Sequence, residues 1–192
     1  MSVRVARRRS AVRLATAAAL LDVAVEVLVA DPAASLAEVA EAAGIGRTTL
    51  HKHYATRDDL LRAVGHRAID LWEQMIGTAV RAADAPDGGL RALAEAMIAV
   101  GPHLAFLWRN PIFDHAEDIG RRWKSVEPQA LAVLQRARDR GLLRAEVPDH
   151  WLLQTFYSLV YVAAESVYSG HLAPRSAPDL VVDTYTRGLG AP

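Results

Sequence analysis

The stretch SLAEVAEAAGIGRTTLHKHY, residues 35 to 54, has the sequence signals of two short helices joined by a tight turn. Ser35 and Glu38 have the spacing of a capping box, in which each side chain satisfies the other residue's backbone N–H at a helix start. Gly44 stands where that helix should end, at a position that usually needs a positive φ. Gly46 is then the expected N-cap of the second helix. This order and length are typical of a helix-turn-helix, whose second helix can enter the major groove of DNA.

The second helix of this unit has a run of polar side chains around one apolar residue, Leu50, which we expect to be buried. The polar residues are Arg47, Thr48, Thr49, His51 and Lys52. Cations and hydroxyls suit phosphate oxygens and base edges, and the run has no evident packing role. It therefore favours DNA binding over a helix corner that only fills a core. Thr56 and Asp59 repeat the capping-box spacing at the next helix, where Arg57 is predicted to meet a phosphate.

The composition excludes some classes of site. The chain has 192 residues, of which 52% are hydrophobic, a formal net charge of zero and no cysteine. That length suits a small domain followed by a larger one, and the lack of cysteine excludes disulfides and thiolate metal sites. Positive charge is concentrated before residue 14, in Arg4, Arg7, Arg8, Arg9 and Arg13. Such an arm can neutralise DNA phosphates; the alternative is a tail that the arginines merely keep soluble.

Residues 7 to 30, RRRSAVRLATAAALLDVAVEVLVA, have the order of a twin-arginine export signal, in which arginines precede an apolar run. Asp22 and Glu26 oppose that interpretation, because they lie within the run and on one face of a helix. The other face has Leu14, Leu21, Val25 and Leu28. We therefore predict an amphipathic surface helix in a cytoplasmic protein. No other stretch is apolar for long enough to be predicted to span a bilayer.

The whole chain is predicted to be helical, because strand-like alternation is absent and alanine and leucine are abundant. We expect an all-α fold of about nine helices. Besides the helix-turn-helix, the predicted helices cover about residues 10–29, 57–82, 89–101, 103–109, 113–124, 127–140, 148–169 and 177–189, with a proline interruption at residues 101–102.

The predicted helix over residues 148–169 is apolar on nearly all sides, so it must be covered on nearly all sides. That pattern predicts a central core helix or a subunit interface. With the last helix, it is expected to pair with the same two helices of a second copy. The predicted interface residues are Trp151, Phe156, Leu159, Val160, Val181 and Tyr185.

The sequence AAGIGRTTLHKHY at residues 42–54, followed by RDDLL at 57–61, resembles the DNA-binding signature of the TetR family of bacterial transcriptional regulators. Order, spacing and glycine turn agree over about the first third of the chain. The resemblance implies a basic arm at 1–9, a helix-turn-helix domain at 10–56 and a helical ligand-binding and dimerisation domain at 57–192. It also implies a homodimeric repressor of a palindromic operator that a small molecule releases, with no cofactor and no enzymatic activity.

The resemblance also implies roles for individual residues. DNA contacts are implied for Ser35, Arg47, Thr48, Thr49, His51, Lys52 and Arg57. Arg57 replaces the phosphate-binding lysine that is usual in the family and adds a bidentate fork. Two positions depart from the family pattern: His51 stands where a phosphate-contacting tyrosine is usual, and Gly46 replaces a serine N-cap. Both departures concern details of the DNA contacts.

A ligand pocket is likewise implied by the family, and the aromatic residues of the later helices are its candidate lining. The candidates are Trp72, Met75, Met97, His103, Phe106, Trp108, Trp123, Tyr157 and Tyr161. Asn110, Gln154 and Glu165 are candidate polar partners beside His103. Such a lining would suit an apolar or aromatic effector. The alternative is that aromatic residues at helical spacing simply form the core.

Rival functions have weaker signals. Asp114, His115, Glu117 and Asp118 have the spacing of hard metal ligands, but acids at a helix start are favoured by the helix dipole, so no metal site is predicted. We find no nucleophile elbow and no histidine pair flanking a glutamate, so an enzyme is not predicted. The remaining alternative is a helical small-molecule-binding or scaffold protein whose helix-turn-helix is structural only.

Overall fold

The computed structural model describes residues 17–189, apart from the side chains of Ala83, Asp114 and His115. The arginine arm, the predicted start of the first helix and Leu14 lie outside these residues, as do the side chains of two of the candidate metal ligands. The described chain contains nine α-helices: α1 (17–30), α2 (Leu36–Ala42), α3 (Arg47–His53), α4 (Arg57–Arg81), α5 (Leu90–Ala99), α6 (Gly101–Arg109), α7 (Glu117–Asp139), α8 (Asp149–Tyr168) and α9 (Ala177–Leu189). The predicted all-α fold is confirmed.

The predicted interruption near residue 101 is present as a sharp bend. Helices α5 and α6 meet at 74°, and Pro102 occupies the first turn of α6, where the missing N–H of proline breaks no helical hydrogen bond. Gly101 is needed because α6 begins against α8. A Cβ added at Gly101 would lie 2.7 Å from the Cβ of Ala164, so glycine permits this close crossing.

The prediction of two helices over residues 113–124 and 127–140 is wrong. One continuous helix, α7, runs from Glu117 to Asp139 with Pro128 inside it, and a short 3-10 turn, Pro111–His115, precedes it. An internal proline removes a hydrogen bond, but Pro128 lies on the exposed side of α7. The opposite side buries Val126, Ala130 and Val133, so tertiary packing outweighs the local breaker.

Two clusters of buried side chains organise the fold. The reading-head cluster joins α1, α2, α3 and the start of α4, and its members are Leu20, Ala24, Val25, Leu28, Ala34, Val39, Ala40, Leu50, Leu60, Leu61, Val64 and Phe106. The larger core cluster lies among α4 to α9, and its bulky, fully buried members include Trp72, Met97, Leu134, Phe156 and Tyr185.

Two helices belong to both clusters and so connect them. Helix α4 has 25 residues, a length of about 37 Å; its first turns enter the reading-head cluster and its later turns the core cluster. Helix α6 does the same over a shorter distance, because Phe106 packs in the reading-head cluster while Leu104 and Leu107 pack in the core cluster. A shift of either helix therefore acts on both clusters.

Within residues 17–189, no single helix is both long and apolar enough to cross a membrane. The bent pair α5 and α6 passes the length and composition test only when the two helices are taken together.

Candidate nucleic-acid interface and effector site

The helix-turn-helix has the caps that its sequence predicts. Ser35 Oγ accepts a hydrogen bond from the Glu38 N–H at 3.3 Å, and the Ser35 N–H donates to Glu38 Oε2 at 2.7 Å. The Ser35 hydroxyl also donates to Glu38 Oε2 at 2.7 Å. The two bonds that the carboxylate accepts, from the Ser35 N–H and then from the Ser35 hydroxyl, favour its charged form and lower the pKa of Glu38. Gly44 has a φ of 66°, and Gly46 caps α3 without a side-chain bond. The caps and the turn fix the direction of α3 relative to α2.

Helix α3 presents its polar residues to the surface and its single apolar anchor to the interior. Leu50 is fully buried in the reading-head cluster. The exposed residues of α3 are Arg47, Thr48, Thr49, His51, Lys52 and His53. An exposed helix face of cations, hydroxyls and imidazoles has no packing role of its own and can donate hydrogen bonds to phosphates and bases.

Arg57 is held at the junction of α4 with the loop before α2. Its Nε donates to the Ala34 carbonyl at 3.3 Å and its Nη2 to the Pro32 carbonyl at 2.5 Å. The side chain is partly buried. The guanidinium therefore joins α4 to the start of the helix-turn-helix, and its predicted phosphate contact remains a prediction.

A polar contact centred on Asp22 joins α1, α4 and α6. Arg67 donates to both Asp22 carboxylate oxygens, at 3.0 and 3.2 Å, and His103 Nε2 lies 3.1 Å from Oδ1. Burial raises the pKa of Asp22, but Arg67 and His103 outweigh it and lower the pKa overall. For His103, burial dominates and lowers the pKa, although Asp22 and Glu26 oppose this and Arg67 adds to it. The sequence predicts that His103 lines a ligand pocket; its ring is instead directed to Asp22.

The burial of His103 and the pairing of Asp22 predict a pH-dependent stability. Because His103 resists protonation in the folded chain, the unfolded chain takes up the proton first as the pH falls below about 6.5, and the free energy of unfolding decreases. Asp22 contributes fully to the free energy of unfolding above a pH of about 3.9. This contribution is lost as the pH falls through the lower pKa that Asp22 has in the folded chain.

We expect His103→Gln to flatten the decrease in stability between about pH 7 and about pH 5, measured by urea unfolding. His150→Gln, at an exposed position on α8, is the control and should leave the slope unchanged. If the free energy of unfolding falls with pH equally steeply in the wild type and in His103→Gln, the lowered pKa assigned to His103 is contradicted.

Four aromatic side chains meet where α6, α7 and α8 pack together. Trp108 lies 6.3 Å from Trp123, 5.8 Å from Tyr157 and 6.0 Å from Tyr161, measured between ring centroids. We call these four residues the aromatic cluster. Beside it lies a groove of about 380 Å³, which we call the aromatic groove. Its lining residues are Trp108, Arg109, Gln154, Tyr157, Ser158, Tyr161 and Val162.

The remaining ligand candidates lie elsewhere. Trp72 and Met97 are completely buried in the core cluster, and Met75 packs against it. Phe106 lies in the reading-head cluster, edge-on to Phe113. For these residues the alternative interpretation, plain core, is the one that the structure supports, because the helix faces that carry them are covered by neighbouring helices of the same chain.

The interface prediction also needs correction. Phe156, Val160, Val181 and Tyr185 are no more than 3% exposed, and Tyr185 Oη donates to the Leu152 carbonyl. They pack within one chain, since α8 and α9 lie against each other and against α5. Trp151 is 59% exposed, and Leu159 is partly exposed. Other large apolar side chains on these two helices are also exposed: Val162, Tyr168 and Leu180.

Sequence reasoning missed the exposed apolar residues Val162, Tyr168 and Leu180, and it gave no role to Arg109. Helical periodicity shows that α8 is apolar on most sides, but it does not show which side the chain itself covers. Arg109 lies next to Trp108 in sequence, but sequence spacing does not reveal its contacts with Tyr161 and Glu165 of α8.

Comparisons with known proteins agree with this geometry. Residues 20–64 match the family model for bacterial regulatory proteins, tetR family. The HTH-type transcriptional repressor LfrR of Mycolicibacterium smegmatis is 30% identical over 180 residues, covering 94% of this chain and 93% of that protein. The HTH-type transcriptional regulator NfxB of Pseudomonas aeruginosa is 27% identical over 165 residues, covering 84% of this chain and 87% of that protein.

Among solved structures, the crystal structure of LfrR from Mycobacterium smegmatis in complex with proflavine superposes with a TM-score of 0.76 at 29% identity, covering 91% of this chain and 96% of that one. The similarity thus covers nearly the whole chain and is not confined to the helix-turn-helix. As the sequence predicts, this chain belongs to the TetR family of bacterial transcriptional regulators, and it is a DNA-binding regulator rather than an enzyme.

Proposed function

We propose that this protein is a homodimeric repressor that binds a palindromic operator through α3 and is released from it by a small molecule. The observation that carries the DNA-binding part is the exposed polar face of α3, set on a capped turn and anchored by the buried Leu50. A repressor activity is supported by the relative at 30% identity, which is named a transcriptional repressor.

The DNA contacts that we propose are those of the capped helix pair. Arg47, Thr48, Thr49, His51 and Lys52 form the exposed face of α3. Ser35, the N-cap of α2, is also exposed, and the family resemblance gives its hydroxyl a phosphate contact, for which that hydroxyl exchanges its bond to Glu38 Oε2. The helix start then positions the protein on the backbone, while α3 reads base edges.

The dimer that we propose uses the outer faces of α8 and α9. Trp151, Leu159 and Val162 lie along the exposed side of α8, and Leu180 is exposed on α9. Exposed apolar residues on two helices that pack against each other favour a second protein surface over water. A two-fold axis through this face would pair each helix with its own copy and present two α3 helices to half-sites about one DNA turn apart.

The protein is released from the operator if the effector prefers a conformation in which the two α3 helices of the dimer are wrongly spaced for the DNA. The effector can lower operator affinity only by its preference between the two conformations. Helices α4 and α6 are suited to transmit that preference, because each belongs to both buried clusters. The aromatic groove is the proposed effector site, and a relative solved with proflavine supports an aromatic effector.

Binding to the region upstream of its own gene tests the proposal. Arg47→Ala and Lys52→Ala should each weaken operator binding by about 1–3 kcal/mol, because each removes a base or phosphate contact. A lost phosphate contact should also reduce the slope of log affinity against log salt by about 1. Arg175→Ala, an exposed arginine between α8 and α9, is the charge-matched control.

The rival function, a helical binding or scaffold protein, gives the opposite results. It predicts no footprint on any upstream DNA and no preference over random sequence. If both α3 variants bind the operator as tightly as the wild type does, α3 is not the helix that contacts the operator, even if the protein binds DNA. Fluorescence anisotropy over a series of salt concentrations measures all of these quantities.

A further inference from the structure

A small cavity lies where the helix-turn-helix domain meets α6, and it is separate from the aromatic groove. Its volume is about 210 Å³, and we call it the junction cavity. Its walls come from the end of α1 and the loop after it, from the first residue of α4, and from the last turns of α6 with the loop that follows. The volume is below the range of about 300–1,000 Å³ that is usual for ligand pockets, so the cavity suits only a small molecule.

Most of the wall of the junction cavity is apolar. Leu28 and Phe106 border it from α1 and α6 and are 2% and 4% exposed. The other apolar lining residues are Val29, Pro32, Ala105 and Pro111. None of the described residues that line the cavity is acidic, whereas two of them, Arg57 and Arg109, are cations. Such a wall favours a compact apolar body that carries a negative charge.

Arg57 is the cation whose charge is available to a ligand. Its Nε and Nη2 donate to the carbonyls of Ala34 and Pro32, which are neutral, and it has no carboxylate partner within residues 17–189. Arg109 differs, because its Nη2 lies 3.1 Å from Glu165 Oε2. Arg57 is partly buried, and burying a charge is costly unless it is paired. A carboxylate is the acceptor that fits the guanidinium fork, since it can accept two parallel hydrogen bonds.

Asn110 adds a neutral donor group to the same wall. Its Oδ1 accepts a hydrogen bond from the Ile112 N–H at 3.3 Å, which orients the side-chain amide. The two N–H donors of that amide remain, and they have no hydrogen-bond partner in the described part of the chain. A guanidinium and an amide nitrogen among apolar side chains are the donors that a carboxylate on a small apolar body requires.

We propose that the junction cavity binds a small organic carboxylate whose apolar part is a single ring or a short branched chain. The carboxylate oxygens accept hydrogen bonds from Arg57 and Asn110. The apolar part packs against Leu28 and Phe106. This site is distinct from the aromatic groove, and its existence does not depend on the proposed function.

Occupancy of the cavity has an expected effect on DNA binding. A carboxylate is a stronger acceptor than a carbonyl, so it draws the Arg57 guanidinium away from Pro32 and Ala34. Those two bonds join α4 to the loop before α2, and their loss loosens the helix-turn-helix on α4. A bound carboxylate should therefore lower operator affinity, and by linkage the operator should lower the affinity for the carboxylate. This effect, unlike the binding itself, rests on the proposed function.

Three fluorinated probes separate the charge of the ligand from its shape: 4-fluorobenzoate, the neutral 4-fluorobenzamide, and fluoroacetate, which has the carboxylate without the ring. Fluorine NMR titrations measure their affinities for the full-length protein. We expect 4-fluorobenzoate to bind at least about tenfold more tightly than the amide, which lacks the charge-assisted bonds. It should also bind at least about tenfold more tightly than fluoroacetate, which buries no ring.

Four variants locate the bound 4-fluorobenzoate. Arg57→Gln should weaken its binding at least about tenfold, and Arg57→Lys about threefold, because lysine keeps the charge but not the fork. Val29→Phe should weaken it about tenfold by filling the cavity, while leaving Arg57 in place. Trp108→Ala, in the aromatic groove, is the matched control for the alternative site and should bind as the wild type does.

The effect on the operator is measured by fluorescence anisotropy at constant ionic strength, with chloride replacing 4-fluorobenzoate, because DNA binding itself depends on salt. Saturating 4-fluorobenzoate should lower the operator affinity of the wild type about fivefold. The operator affinity of Val29→Phe should not respond to it. Unchanged wild-type affinity under saturation would overturn the proposed coupling.

Other results would overturn the site itself. Equal affinities for 4-fluorobenzoate and 4-fluorobenzamide would show that no cation contacts the ligand. Binding that Trp108→Ala weakens and Arg57→Gln leaves unchanged would place the ligand in the aromatic groove. Wild-type binding by Val29→Phe would exclude the junction cavity, and Val29→Phe keeps this test decisive if Arg57→Gln is shown by circular dichroism to be unfolded.

Failure of this inference is distinguishable from failure of the proposed function. A protein that binds its operator but none of the three probes refutes the inference alone. A protein that binds 4-fluorobenzoate through Arg57 but has no preference for any upstream DNA refutes the proposed function alone.

Discussion

Replacing Trp72 by alanine should destabilise the protein by about 3–5 kcal/mol, a large part of the roughly 5–15 kcal/mol that holds a typical domain together. Trp72 is completely buried among α4 and its neighbours, so the truncation leaves a cavity that a packed core fills only in part. Urea unfolding monitored by circular dichroism measures the loss.

A smaller change at the same position is the matched control. The Trp72 Nε1 is buried without a hydrogen-bond partner within residues 17–189, so Trp72→Phe removes an unsatisfied donor while keeping an aromatic ring. We expect it to cost much less than Trp72→Ala. Trp108→Ala, at a residue 37% exposed, should cost less stability than Trp72→Ala but should weaken effector binding. If Trp72→Ala were as stable as wild type, Trp72 would line a pocket and not the core.

The second large effect concerns the proposed dimer. Val162→Glu should convert the proposed dimer to monomers, because Val162 is 60% exposed on one chain and, in that dimer, the added carboxylates of both copies would be buried in an apolar surface. A monomer presents only one helix-turn-helix to the operator. Operator affinity should therefore fall by about 10²–10⁴-fold, the usual advantage of joining two binding modules. Light scattering and anisotropy measure the two effects.

Val160→Glu distinguishes an interface from a core. Val160 is 1% exposed, so a charge there is buried within one chain and should unfold it, whereas Val162→Glu should keep its helical circular dichroism. Leu180→Glu, on the neighbouring face of α9, should reproduce the monomer. A Val162→Glu and Leu180→Glu double variant that stays dimeric at micromolar concentration would place the interface elsewhere.

The reading head was predictable because its signals are local. Capping boxes at Ser35 and Thr56, the positive φ at Gly44 and the buried Leu50 each follow from a few neighbouring residues. Such signals do not depend on how distant helices pack. Sequence similarity then supplied the family, because the same local signals recur in the same order.

The regulatory part was less predictable because its assignments depend on which helix covers which face. Tyr185 and Val162 are both large and apolar, yet one is buried under α8 and the other faces outward. Periodicity detects an apolar stripe but does not identify its partner. The same holds for charge: Arg109 and Glu165 resemble ordinary surface residues until α6 and α8 bring them together.

The position of Phe106 has a consequence for building chimeric regulators. A reading head cut out at residue 56 and grafted onto another regulator would leave behind Leu60, Leu61 and Val64 from α4, and Phe106 from α6. The graft would thus exchange the recognition surface but lose part of its own hydrophobic support. A transplant that keeps α4 still needs an aromatic residue from the recipient's α6 at the same place. DNA specificity can therefore be transferred between such proteins only where the recipient supplies an aromatic side chain equivalent to Phe106.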